Sequence, residues 1–253
     1  MPATAALLDR AAQFEVRPAR WRIGLIALAT DHTVERDFTA LVPDEDLAIY
    51  VNRVAFENPT TRENLMAMRP LLTAAADLIL PGEALDAVAY GCTAASALIG
   101  NGAVCEAIRK AKPNVPVVTP TSAAVDAFAA LGVSKVSLLT PYSQTVTDAL
   151  LRHFETQGLE IVNATCFGLT DDRAIAQVQP ASILSAAVEA CDPASDALFI
   201  SCTGLRAVTV AQAIEDRLRL PVVTSNQALF WRAIRQAGCR LSVAGAGRLL
   251  QVH

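Results

Sequence analysis

Two cysteines stand at matching places in this chain of 253 residues. Ala87–Thr93 reads AVAYGCT and Leu198–Gly204 reads LFISCTG, each an apolar run ending in a thiol followed by threonine. A strand that hands a cysteine to a helix start puts the sulfur at the positive end of the helix dipole, beside N–H groups with no intrahelical partner. Both features lower a thiol pKa. The N–H groups of Thr93, Ala94, Thr203 and Gly204 could hold a carboxylate there without any lysine or arginine. Two such thiols flanking one small substrate could serve as base and acid in a proton transfer, or one could add covalently to carbon. A single cysteine after a strand is most simply a small buried apolar residue. The duplication is what makes Cys92 and Cys202 catalytic candidates.

Cys105, Cys166, Cys191 and Cys239 have no duplicated counterpart and are expected to be structural and to line no cleft. No C-x-x-C or zinc-ligand spacing occurs, so no metal site is expected. His153 sits at helical spacing with Val146, Ala149, Leu150 and Phe154 and is expected to pack at a core edge, while His253 is terminal. His32, beside Asp31 at the end of the first strand, could approach a cleft. Arg206 is expected one turn into the helix after Cys202, in a surface or interlobe salt bridge.

The elements that must carry these residues alternate β-branched runs with helix-period segments, the pattern of parallel sheets with crossover helices. Strands are expected at 22–28, 47–54, 85–90 and 115–119. Helices are expected at 33–41, from a Thr60-x-x-Glu63 capping box with a bend at Pro70, from 93 to about 110, and at 122–131. From Lys135 the pattern repeats. KVSLLTPYSQTV at 135–146 echoes RIGLIALATDHTV at 22–34, LFISCTG echoes AVAYGCT, and PVVTSN at 221–226 echoes PVVTPT at 116–121. The paired landmarks Thr33 and Thr145, Cys92 and Cys202, and Pro116 and Pro221 lie 112, 110 and 105 residues apart. The expected fold class is α/β, with two pseudo-symmetric lobes, each a mostly parallel sheet flanked by helices, and the active site in the interlobe cleft at the strand carboxyl ends. Residues 1–119 with 226–253 are expected to form one lobe and 120–225 the other.

Composition narrows the partners. With 21 Lys+Arg against 25 Asp+Glu, a net charge of −4 and 5% aromatic residues, neither the charge nor the stacking surface of a nucleic-acid binder is present. The longest uncharged run, Ala87 to Cys105, is broken by glycines and polar residues and reads as strand, turn and helix rather than as a membrane span. No export signal is visible at the amino terminus, so a cytoplasmic location is expected. No G-x-G-x-x-G follows a strand, which argues against dinucleotide binding. The expected partner is a small carboxylic or amino acid substrate, with no cofactor, no nucleic acid and no membrane, and a homo-oligomer is left open.

The motifs IGLI at 23–26, GCTAAS at 91–96, PVVTP at 116–120, TPY at 140–142, FGLTDD at 167–172 and SCTGLR at 201–206 together resemble the aspartate/glutamate racemase superfamily, in its branch of maleate isomerases and arylmalonate decarboxylases. TDHTVERDF at 30–38 is similar to bacterial ectoine-utilisation proteins. The resemblance implies a cofactor-free enzyme in which Cys92 and Cys202 are the facing cysteines. Tyr142 would hold a substrate carboxylate, with Thr93 and Thr203 adding N–H and hydroxyl donors. It implies racemisation or cis–trans isomerisation next to a carboxylate, with decarboxylation of a small malonate or a non-catalytic binding subunit as alternatives. Asp31 and Asp172 stand where maleate isomerases carry asparagine. Two carboxylates there would repel a dianion and favour a substrate with an amino group, unless Asp31 and Asp172 serve instead as helix caps.

Overall fold

The computed structural model describes residues 3–42 and 44–252. Its first half contains β1 (Trp21–Leu28), α1 (Val34–Leu41), β2 (Leu47–Val54), α2 (Arg62–Ala67), a 3-10 turn, α3 (Leu72–Asp77), β3 (Ala87–Gly91), α4 (Thr93–Ile99), α5 (Asn101–Ala111), β4 (Val117–Val118) and α6 (Pro120–Leu131). The second half contains β5 (Lys135–Thr140), α7 (Gln144–Thr156), β6 (Glu160–Cys166), α8 (Asp172–Gln177), α9 (Pro180–Ala190), β7 (Ala197–Ile200), α10 (Val208–Leu218), β8 (Val222–Thr224), α11 (Ser225–Gln236) and α12 (Gly247–Val252). The strands form two parallel four-stranded sheets, ordered β2-β1-β3-β4 and β6-β5-β7-β8. Identical strand orders are what the repeated landmarks imply. In both sheets the cysteine-bearing loop follows the third strand, which pairs with the first.

The central strands β1, β3 and β7 are apolar almost throughout because helices cover both faces of a parallel sheet, while the edge strands β2 and β6 are only partly buried. Residues 22–28, 87–91 and 197–200 are buried without exception. Helix α11 lies against β3, β4 and α1 of the first sheet's lobe and also touches β8 and α6. Phe230 of α11 meets Phe38 of α1 edge to face, with ring centroids 5.3 Å apart. A second aromatic chain, Phe128, Phe199 and Phe154, joins α6, β7 and α7.

Several local expectations are corrected. The expected helix from 93 to about 110 is two helices, because Gly100 has φ +90° and interrupts the hydrogen-bond ladder between α4 and α5. The helix expected from Ser122 begins at Pro120, with Thr119 and Ser122 forming its capping box. The box expected at Thr60 and Glu63 is displaced by one residue: Thr61 caps α2 by accepting the Asn64 N–H, while the Thr60 N–H donates to the Thr170 carbonyl at 2.7 Å. Pro70 lies in the 3-10 turn Arg69–Leu71, which separates α2 from α3. Cys202 does not directly precede a helix, since residues 203–207 form a loop before α10. Arg206 therefore lies in that loop, and its Nη2 donates to the carbonyls of Gln177 and Val178 rather than to a carboxylate.

The displaced cap makes a test. Thr61→Ala is expected to cost about 1 kcal/mol of unfolding free energy. Thr60, whose buried hydroxyl has no partner among the described residues, should tolerate valine with no loss. Denaturant melts of both variants would measure this, and the reverse ranking would return the cap to Thr60.

Candidate active site

The two cysteine loops meet. Gly91, the residue before Cys92, accepts the hydroxyl proton of Thr203, the residue after Cys202, at 3.0 Å. Around this contact the Thr33 hydroxyl donates to the Gly204 carbonyl at 2.8 Å, the Thr93 hydroxyl donates to Ser225 Oγ at 2.8 Å, and the Thr30 hydroxyl donates to Asp172. Each bond crosses between the carboxyl ends of the two sheets. Cys92 and Cys202 are each 6% exposed.

Cys92 is the N-cap residue of α4 and makes no side-chain capping bond, although the nearby Ala95 N–H and Tyr90 hydroxyl favour its ionised form. The Tyr142 hydroxyl and the Gly204 N–H lie beside the Cys202 sulfur and favour its ionised form. Tyr142 is itself buried, and its hydroxyl feels both thiols. Thus Cys92, Cys202 and Tyr142 share one small space. Tyr142 reaches it because β5 ends at Thr140 and the chain turns there, with the Gly168 N–H donating to the Tyr142 carbonyl at 3.0 Å.

The expectation of acidic thiols is overturned. Burial raises Cys92 from an ordinary thiol value of 9.0 to about 12, with Asp172 and Asp31 adding to the rise. Burial likewise pushes Cys202 well above the ordinary value, and the same two carboxylates contribute. Desolvation at this depth corresponds to about 4 kcal/mol, whereas a short helix terminus supplies about 1 kcal/mol at most in an exposed setting. At neutral pH burial therefore keeps both sulfurs in the thiol form.

Asp31 and Asp172 face the same space from opposite sheets. The Asp31 Oδ1 accepts the N–H groups of Thr33 and Val34 at 2.6 and 2.8 Å, which satisfies the start of α1. Burial raises its pKa even so. Asp172 is also raised by burial, against a hydrogen bond from Thr30. It does not cap α8: Asp171 does, by accepting the Arg173 N–H.

The hydroxyls of Thr93 and Thr203 are committed to Ser225 and Gly91, so neither donates toward a ligand in this arrangement. The N–H groups of Thr93 and Ala94 remain, since first-turn donors have no intrahelical acceptor. His32 is exposed on the rim of an interlobe groove of about 230 Å³, with Arg36, Asp37 and Arg206. His153 packs edge to face on Phe154, and His253 lies outside the described residues. Cys239 is fully buried, and Cys105, Cys166 and Cys191 are partly buried. Among the described residues no group of three or more His, Cys, Asp or Glu side chains could hold a metal ion, and no helix is long and apolar enough to cross a membrane.

Sequence reasoning missed Thr30, Asn58, Ser225 and Asn226. Asn58 accepts the Asp172 N–H and donates to Asp171, so it holds the start of α8 against the first lobe. Ser225 and Asn226 lie within the repeated PVVTSN landmark, which was the available signal.

A family model for arylmalonate decarboxylase matches residues 73–250, well over half of the chain. Arylmalonate decarboxylase of Bordetella bronchiseptica is 34% identical over 140 residues, which cover 54% of this chain and 58% of that protein. The matched stretch is thus little more than half of that relative's length. Maleate isomerase of Geobacillus stearothermophilus is 22% identical over 91% of this chain and 97% of its own. A mutant maleate cis–trans isomerase of Nocardia farcinica, solved with a covalently bound succinylcysteine intermediate, superposes with a TM-score of 0.83 at 23% identity, covering 91% of this chain and 98% of that one. That likeness bears on the fold.

Proposed function

The chain belongs to the arylmalonate decarboxylase family, and we propose that within it this protein is a cofactor-independent racemase or cis–trans isomerase acting next to a carboxylate of a small acid. The observation that carries this reading is the Thr203–Gly91 hydrogen bond, which presses the loops of Cys92 and Cys202 together beside Tyr142. The two lobes, assigned as 1–119 with 226–253 and 120–225, would each contribute one thiol, and the enzyme would work in the cytoplasm.

The site must stabilise negative charge on the substrate carboxylate as the adjacent carbon becomes carbanionic. N–H donors of the Thr93, Ala94, Thr203 and Gly204 backbone, with Tyr142, would supply that in a nearly dry cleft. In racemisation, one sulfur as thiolate takes the α-proton and becomes a thiol. The opposite thiol then gives its proton to the other face of the carbon and becomes the thiolate. In isomerisation, a thiolate adds to the double bond, the resulting single bond rotates, and elimination restores the alkene and the thiolate. The adduct in between would be of the kind held by the Nocardia farcinica structure.

Both routes need one sulfur ionised, although burial favours the thiol form of both. A substrate ammonium group between Asp31 and Asp172 would offset the carboxylate charge that opposes thiolate formation. That favours small amino or diamino acids over a plain dicarboxylate, in keeping with the likeness of Thr30–Phe38 to ectoine-utilisation proteins. Decarboxylation of a small malonate is the second reading, favoured by the family match and by the Bordetella relative.

NMR of the protein in deuterated water with small amino, diamino and dicarboxylic acids would decide. Loss of the α-proton signal or interconversion of isomers is the expected result. Carbon dioxide release from malonates would support the second reading, and inertness toward the whole panel would remove the first.

A further inference from the structure

One turn of helix touches both cysteine loops. Ser225 and Asn226 open α11 and are 0% and 1% exposed. The Ser225 Oγ accepts two hydrogen bonds, one from the Thr93 hydroxyl at 2.8 Å and one from the Cys202 N–H at 3.0 Å. A single oxygen therefore links the residue after Cys92 to Cys202 itself. Asn226 spends both protons of its amide: one goes to the Thr203 carbonyl at 2.9 Å, the other to Asp37 Oδ2 on α1 at 2.7 Å.

Neither side chain is needed to start the helix. Thr224 and Gln227 already form a complete capping box, each accepting the other's backbone N–H. What the two residues do hold is an unfavourable backbone. Cys202 has φ +99°, a region that side chains other than glycine rarely adopt. Such a residue persists where its surroundings fix it, and it tends to occur at working sites. Ser225 fixes the N–H on one side of Cys202, and Asn226 fixes the Thr203 carbonyl on the other. Asp37 anchors the arrangement in the first lobe, buried there at a cost that shows in a pKa raised to about 7, with the Asn226 hydrogen bond opposing the rise.

We propose that Ser225 and Asn226 are positioning residues that hold the Cys92 and Cys202 loops in alignment across the two sheets, with Asp37 anchoring Asn226. This rests on the two-thiol reading of the site, yet its contacts make a prediction that needs no turnover. Ser225 reaches both loops, so Ser225→Ala should loosen both. Asn226 reaches only the Cys202 side, so Asn226→Ala should loosen that side alone. Asp37→Asn keeps an acceptor for the Asn226 amide and should preserve the arrangement, whereas Asp37→Ala should resemble Asn226→Ala.

The experiment is alkylation of the folded protein with iodoacetamide, read cysteine by cysteine by peptide mass spectrometry, with Tm recorded for each variant. Release of a buried thiol to solvent speeds alkylation. Cys92 and Cys202 should both react about fivefold faster or more in Ser225→Ala, and Cys202 alone in Asn226→Ala, with Asp37→Asn within about twofold of the parent. On a substrate found in the panel above, kcat of Ser225→Ala and Asn226→Ala should fall roughly tenfold or more while KM changes much less. Unchanged rates at both cysteines in both variants, or equal acceleration of the two cysteines in Asn226→Ala, would overturn the inference. Should Asn226→Ala fail to fold, Ser225→Ala, which removes one oxygen, carries the test through Cys92 and Cys202 together. The expected labelling pattern in a protein that turns over none of the acids would uphold the alignment role and remove only the two-thiol chemistry.

Discussion

Cys92→Ser and Cys202→Ser are each expected to lower kcat about a thousandfold or more, because a serine hydroxyl is far weaker than a thiol both as acid and as nucleophile at neutral pH. The fold should be indifferent. Oxygen for sulfur at a 6% exposed site changes little volume, and the Ala95 and Gly204 N–H groups near the sulfurs favour a polar atom there. Groups acting as a unit lose function together, so the double variant should be hardly worse than the poorer single variant. The pair also separates the two readings of the reaction. Racemisation passes a proton from one face to the other and needs both sulfurs, whereas protonation after decarboxylation comes from one face and needs one. Steady-state kinetics with Tm controls would measure this. A single variant with full activity removes that cysteine from the mechanism, and loss in only one of the two favours decarboxylation.

How much of this could be read from the sequence depends on the range of the interaction concerned. The expected strand 47–54 is β2 residue for residue, and the repeat from Lys135 becomes a second sheet of the same order. Apolar runs and repeated turn signals are local, so pattern reading finds them. The loop 203–207 escaped because TGLRA has no helix breaker after Gly204, while its conformation follows from the positive φ of Cys202 and from bonds to Ser225 and Asn226 more than twenty positions away. Thr30 and Asp172 are 142 positions apart and Asn226 and Asp37 are 189 apart, and no local spacing announces either pair. The acidic thiols failed for a related reason. Position at a helix start is visible in sequence, but the depth of burial that outweighs it comes from both lobes closing over the sulfurs.

Replacing Asp31 and Asp172 together by asparagine is expected to change both the thiols and the choice of substrate. Each carboxylate raises Cys92 and Cys202, so removing the two charges should move the pH midpoint of alkylation of both thiols to lower pH. Both carboxyls are themselves raised by burial, and an ammonium group placed between them would draw them into the charged form. Binding of an amino-bearing acid to the parent would then release protons and tighten as pH rises through those raised values, a dependence the double variant should lose. Truncating one partner of a buried, hydrogen-bonded charge pair costs about 2 to 5 kcal/mol, so affinity for amino-bearing acids should fall at least tenfold while plain dicarboxylates such as maleate gain. Capping can be told apart within the same set of variants. Asparagine at position 31 keeps an oxygen for the Thr33 and Val34 N–H groups, whereas Asp31→Ala loses it and should lower stability by about 1 kcal/mol. Calorimetric titration of the parent and the double variant with an amino acid and a dicarboxylate at a series of pH values would measure the binding, with alkylation rates and denaturant melts for the thiols and the cap. An unchanged preference in the double variant, with instability confined to Asp31→Ala, would leave Asp31 as a helix cap and the cationic substrate without support.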